Sequence, residues 1–193
     1  MSSFESASNR DKSHGNKWGT CYRELEHDSE SWIDLISEKF VDELKSVPGT
    51  LKREVLSKFC HGVRIMYNNN PYHNWRHACH VTVSAKTLLN GLCHPEAFQG
   101  LERIALLFSC IIHDVDHLGV WNSVLVEQGH EYAVAFNDQS PLEMRSLQVG
   151  FDILRRHNFT AGFPELSDIK ERQRFRKLVV DLVLCTDIGD KDR

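Results

Sequence analysis

Apolar residues recur along most of this chain at spacings of three and four, the period that gathers them on one face of an α-helix. Trp32, Ile33, Leu35, Ile36, Phe40, Val41 and Leu44 predict an amphipathic helix that stops near Pro48 and Gly49. Leu51, Val55, Leu56, Phe59, Val63 and Met66 predict a second, closed by Asn68, Asn69, Asn70 and Pro71. Further helices are expected over about 73–90, 97–113, 120–128, 141–157 and 168–187. Ser140 followed by Glu143 has the spacing of a capping box and marks a helix start. Period-two strands with hairpin turns and internal repeats are both missing from the pattern, so the fold class is all-α. A compact multi-helix domain is expected rather than an extended solenoid.

Residues 1–30 break this pattern. They are rich in Ser, Asn, Gly and charge and poor in branched aliphatics, and are expected to form a polar, disordered extension ahead of a domain covering 31–193. With 193 residues, 41% of them hydrophobic, the chain is long enough for one sizeable core. A formal net charge of -4 and no interleaving of aromatics with lysines argue against a nucleic-acid polymer as partner. The longest apolar run, Ile104 to Ile112, is too short for a membrane span, which needs roughly 20 residues. Six scattered cysteines with no C-x-x-C pair point to reduced thiols and an intracellular, cytoplasmic protein, with membrane attachment left to flanking segments. Cys60 and Cys110 lie among apolar residues and read as core.

The candidate chemistry lies between Pro71 and Gly119. In Tyr72-His73-Asn74-Trp75-Arg76-His77-Ala78-Cys79-His80, helical geometry would bring His73, His77 and His80 to one face. Neutral imidazole is a common metal ligand, and its protonated form serves as a general acid near neutral pH. The second cluster, His113-Asp114-Val115-Asp116-His117-Leu118-Gly119, follows the apolar run. Neighbours such as His113 and Asp114 diverge by roughly 100° on a helix, so both reach one ion only where the helix ends or bends. Gly119 is consistent with such an ending. A carboxylate beside imidazoles suits zinc, manganese, iron or magnesium, and the pattern predicts metal-assisted hydrolysis.

The pairing of Tyr72, His73, Asn74, His77 and Ala78 with His113, Asp114, Asp116, His117, Gly119 and Asn122 closely resembles the catalytic domain of class I 3',5'-cyclic nucleotide phosphodiesterases. The likeness continues through Phe136-Asn137-Asp138, Leu142-Glu143, Glu171-Arg172-Gln173 and Thr186-Asp187. The resemblance implies an all-helical domain with two divalent metal ions, zinc with magnesium or manganese. It implies a cyclic nucleotide substrate, cAMP or cGMP, hydrolysed to the 5'-monophosphate by in-line attack of activated water. His77, His113 and Asp114 match metal ligands, with Asp114 shared by both ions. His73 matches the general acid, His117 and Glu143 match groups near the second ion's water shell, and Asp187 matches a position at the pocket, while Tyr72 is expected either to border the substrate pocket or to pack under the helix start. Asp116 is expected to orient a site histidine or to be solvated, Asn122 to fix a loop, and Arg172, Arg174, Arg176 and Lys177 to form a solvated helix face.

The departures from the family pattern are specific. His80 stands where an acidic or amide residue is usual, Leu118 where proline is frequent, and Met144-Arg145-Ser146 where Asn-His-His is common. The family also carries a further metal-ligating aspartate and a purine-holding glutamine on helices beyond the Thr-Asp stretch. The chain is therefore expected to be the N-terminal part of such a domain. The alternative is a truncated, noncatalytic metal- or nucleotide-binding regulatory derivative. Preference between cAMP and cGMP and the oligomeric state leave no mark in this sequence.

Overall fold

The computed structural model describes Trp32, Ile33, Ile36, Ser37, residues 53–91, Phe98, residues 100–157 and residues 164–189. Among them the regular structure is entirely helical: α1 (Arg53–Arg64), α2 (Trp75–Gly91), α3 (Gly100–Ile112), α4 (Asn122–Glu127), α5 (Glu131–Ala135), α6 (Pro141–Arg156) and α7 (Ile169–Leu184), with a 3-10 turn at Pro164–Ser167 before α7. The all-α expectation therefore holds, and α1 to α4, α6 and α7 fall where the periodicity puts them. Of the predicted first helix, Trp32, Ile33, Ile36 and Ser37 are helical and buried. Its remainder lies outside the described residues, as do residues 1–30, Cys21 and Cys93.

The helix α3 is the axis of the domain because it is apolar on nearly every side. Leu101, Ile104, Ala105 and every residue from Leu107 to Ile112 are buried, as expected for a helix with no solvent face. It packs chiefly against α2 and α7, with α1 and α6 closing the remaining sides. Phe108 joins four helices: its ring centroid lies 5.1 Å from Phe59 of α1, 6.0 Å from Phe151 of α6 and 5.5 Å from Phe175 of α7. A smaller apolar cluster of Leu125, Ala133 and Leu142 joins α4, α5 and α6.

Local signals set several ends. Asn74 caps α2, its Oδ1 accepting the His77 amide at 3.0 Å. Asp168 caps α7 through the amides of Lys170 and Glu171. α6 begins after Ser140 as expected, but the capping box does not form. Ser140 is left-handed, with φ 41°, and makes no side-chain cap bond. Asn122 replaces it, with Oδ1 accepting the Leu142 amide at 3.0 Å. The two-residue shift of the α2 start corrects a further expectation: His73 lies in the turn before the helix. His80, one turn beyond His77, faces Trp32 with ring centroids 6.1 Å apart. The three histidines therefore do not form one ligand face.

Candidate active site

α3 ends at Ile112, and the backbone turns through His113 to Asp116. That break lets the adjacent His113 and Asp114 converge. His77 Nε2 on α2 stands 3.2 Å from His113 Nε2 and 3.3 Å from Asp114 Oδ2, and the last two atoms are 3.0 Å apart. Three donors around a zinc ion in tetrahedral geometry would be separated by roughly 3.3 Å, given bonds of about 2.0–2.1 Å. The triangle therefore fits a divalent cation.

Its hydrogen bonding supports the same fit. His113 Nδ1 lies 2.9 Å from the Cys110 carbonyl, so Nδ1 carries the proton and the neutral ring turns the Nε2 lone pair toward the triangle. Asp114 Oδ2 is buried and, despite its proximity to His113 Nε2, accepts no aligned hydrogen bond. Burial lowers the His77 pKa, reinforced by the neighbouring His113, which favours the neutral ligand form. Burial also works against a charged His113, but the Asp114 carboxylate 3.0 Å away outweighs it and raises its pKa. Burial would raise Asp114, yet the close His113 ring and the surrounding imidazoles of His73 and His117 bring it below the ordinary carboxylate value. The cluster is thus built to be neutralised by a cation or by a competing proton.

A second group shares Asp114: ligand atoms of His73, Asp114 and His117 lie within 4.8 Å of one another. His73 and His117 stack with ring centroids 3.9 Å apart. His117 Nδ1 accepts the Gly119 amide at 2.9 Å, leaving Nε2 as a proton donor rather than a lone pair. Burial, then the adjacent His73, push the His117 pKa down to about 4. Asparagines hold the two loops together: Asn68 and Asn70 Nδ2 donate to the His117 carbonyl at 3.0 and 2.7 Å, and Asn70 Nδ2 also reaches the His73 carbonyl at 3.1 Å. Gly119 has φ 76°, and a Cβ there would stand 3.2 Å from Asn70 Oδ1, so both conformation and space favour glycine.

The outer members are bridged by Asn122, whose Nδ2 donates to Glu143 Oε2 at 2.8 Å and Asp187 Oδ2 at 3.1 Å. Burial raises the Glu143 pKa; the Asn122 bond opposes this, and the charges of Asp187 and Asp114 add to it. Tyr72 is 62% exposed and leans over His77 and His73, with centroids 4.4 and 5.0 Å away. It sits on the rim rather than packed beneath the helix start. Among the described residues the Asp116 carboxylate makes no bond to a site histidine. Its Oδ2 accepts Arg145 Nε at 2.8 Å and the Tyr132 hydroxyl at 2.9 Å. The basic residues of α7 are exposed, although Arg174 pairs with Glu102 and Arg176 lies over the Phe151 ring. Sequence reasoning missed Asn68, Asn70 and Arg145 as site-supporting residues. The triple asparagine was visible only as a helix stop.

The helices and the shared His/Asp clusters define a helical metal-binding domain. The chain belongs to the 3'5'-cyclic nucleotide phosphodiesterase family, whose sequence profile matches residues 72–191. It is 41% identical over 125 residues to a probable 3',5'-cyclic-AMP phosphodiesterase of Caenorhabditis elegans, covering 64% of this chain and 18% of that protein. Against the rat 3',5'-cyclic-AMP phosphodiesterase 4C it is 42% identical over 123 residues, covering 64% of this chain and 23% of the relative. It therefore spans about a fifth of these relatives' length. The phosphodiesterase domain of Salpingoeca rosetta rhodopsin phosphodiesterase is similar in structure, with a TM-score of 0.75 and 29% identity, covering 86% of this chain and 49% of that one.

Proposed function

We propose that this chain carries the metal-holding and proton-donating part of a cyclic nucleotide phosphodiesterase that converts cAMP, or cGMP, to the 5'-monophosphate. The cAMP assignment is favoured by the names of the two relatives above. The observation that carries the reading is the convergence of His77, His113 and Asp114 donor atoms at 3.0 to 3.3 Å. These residues would hold the first ion, zinc, while Asp114, common to both clusters, would also serve a second, magnesium or manganese, whose water shell His117 and Glu143 would order. When bound, such ions polarise a phosphoryl oxygen and lower the pKa of water.

The protein groups divide the remaining work. His117, neutral because of its lowered pKa, offers Nε2–H to an oxygen at Asp114. His73, stacked on it with ring centroids 3.9 Å apart, stands as the proton donor to the leaving group. Water that has given up one proton to solvent supplies the oxygen of the new P–O bond, the bond to the 3' oxygen breaks, that oxygen takes the His73 proton, and His73 regains one from solvent. Asn122 keeps Glu143 and Asp187 facing the same space, and Tyr72 borders the nucleotide entrance.

Metal content and cyclic nucleotide turnover of the purified protein, supplied with zinc and magnesium, test the reading. His113→Ala and Asp114→Ala should lose zinc and turnover together, whereas His73→Ala should retain zinc and lose turnover by about 10²–10⁴-fold. Full metal occupancy without turnover of either nucleotide, both in this chain and in one extended to the full catalytic domain of its relatives, would overturn it in favour of a metal- or nucleotide-binding regulatory derivative.

A further inference from the structure

Asp114 and His117 are separated by two residues that α6 grips directly. Ser146 Oγ, fully buried, donates to the Val115 carbonyl at 2.8 Å. The next residue back, Arg145, donates Nε to Asp116 Oδ2 at 2.8 Å, and Tyr132 adds its hydroxyl to the same oxygen. The Arg145 guanidinium also lies over the Tyr132 ring, 4.9 Å from its centroid. From the other side, the Asp116 amide donates to the Met66 carbonyl at 3.1 Å. Asp116 has φ 63°, a left-handed conformation that a non-glycine residue keeps only when its surroundings hold it there.

This grip acts selectively on the two clusters. His77 is fixed by α2, and His113 by the end of α3 and the Cys110 carbonyl. The position of His117 relative to Asp114 depends, besides the Asn68 and Asn70 bonds to its carbonyl, on the path through Val115 and Asp116. We propose that Arg145, seconded by Ser146, is a positioning residue that sets this path and thereby the affinity for the second divalent cation at Asp114 and His117. The inference rests on the two-ion reading above and deepens it. Arg145 touches neither ion nor substrate in this account; its charged, rigid donor holds the Asp116 carboxylate, and the turn follows. Losing such an outer partner costs metal sites about 10–100-fold in affinity.

The test is calorimetric titration of Mn2+ into the zinc-loaded protein, with zinc content and thermal unfolding measured on the same samples. Arg145→Met, which keeps the aliphatic stem and removes the donors, should bind Mn2+ about 10–100-fold more weakly while retaining zinc. Arg145→Lys, which keeps a charge able to reach Asp116, should fall between Arg145→Met and the parent. Gln148→Ala removes only the Arg145 Nη1 contact of 2.9 Å and should leave Mn2+ binding unchanged. Arg145→Met with parental Mn2+ affinity overturns the proposal, as does equal loss of zinc and Mn2+ with lowered melting, which is the signature of a merely structural residue. Arg145→Lys no better than Arg145→Met also overturns the role given to the charged donor. If the parent protein binds zinc but no Mn2+, the two-ion reading fails first and this inference falls with it.

Discussion

Replacing Gly150 by alanine probes the packing directly beneath the candidate metal cluster. Gly150 is buried on α6 against the end of α3. A Cβ there would stand 2.6 Å from Ile112 Cδ1, 3.0 Å from Ile112 Cβ and 3.1 Å from Ile112 Cγ2. The terminal methyl can turn away, but Cβ moves only with the α3 backbone, and the next residue is His113. Overpacking of this kind costs about 1–3 kcal/mol, while exchanging a mid-helix glycine for alanine returns about 1 kcal/mol. The balance is a net loss of about 1 kcal/mol, or a melting temperature about 2–4 °C lower for a chain of this size. Calorimetry or circular dichroism on the metal-free protein measures it. Ile112→Val removes the atom at 2.6 Å, so Gly150→Ala should cost less in that background, with a coupling of at least about 0.5 kcal/mol. A Gly150→Ala protein that melts at or above the parent would show that Ile112 yields without cost and that helix propensity alone describes the site.

Asn122→Ala removes the Leu142 cap and the donor shared by Glu143 and Asp187; a loss of about 1–2 kcal/mol in denaturant unfolding is expected. Asn122→Asp, which adds a third carboxylate to that pair, should be worse above pH 6 than below pH 4. In the metal-free protein, His117 binds its proton only near pH 4, below the ordinary imidazole value of 6.5. The unfolded chain protonates first, so this residue's contribution is intact above pH 6.5 and lost as pH falls toward about 4. Melting measured across that window should decline, and His117→Asn should flatten the decline. Among the four described thiols, burial pushes Cys60 and Cys110 up to about 12 and raises Cys79 further, while Cys185 is exposed. Maleimide labelling of the native protein followed by peptide mass mapping should therefore modify Cys185 well before the other three.

Much of the fold was legible because helical periodicity is local. The all-apolar run to Ile112 marked the central helix, and the adjacent His113 and Asp114 required the helix break that is observed there. The resemblance assigned roles to His73 and His77 that periodicity could not distinguish. What escaped depends on contacts across the chain. A one-face reading of His73, His77 and His80 assumed a helix from residue 73; capping by Asn74 starts it later and leaves His73 free to stack on His117. Nothing in the local pattern aligns His80 with Trp32, or places Arg145 on Asp116, 29 residues away. The capping-box spacing at Ser140 was correct as a helix boundary and wrong as a bonding scheme, because Asn122 arrives from 20 residues earlier and takes the Leu142 amide. The five residues of α5 are too few to show a period, so that helix had no signal of its own.

Water is proposed to attack a cyclic phosphodiester at the cluster of His77, His113 and Asp114, with His73 protonating the departing oxygen. The most direct test is incubation of the zinc- and magnesium-loaded protein with cAMP in 18O-labelled water, with the product identified by chromatography and mass spectrometry. The expected product is 5'-AMP carrying one labelled oxygen on its phosphate, with none formed by the protein with Asp114→Ala. Formation of 3'-AMP, an unlabelled phosphate, or intact cAMP after incubation with fully metal-loaded protein would contradict it.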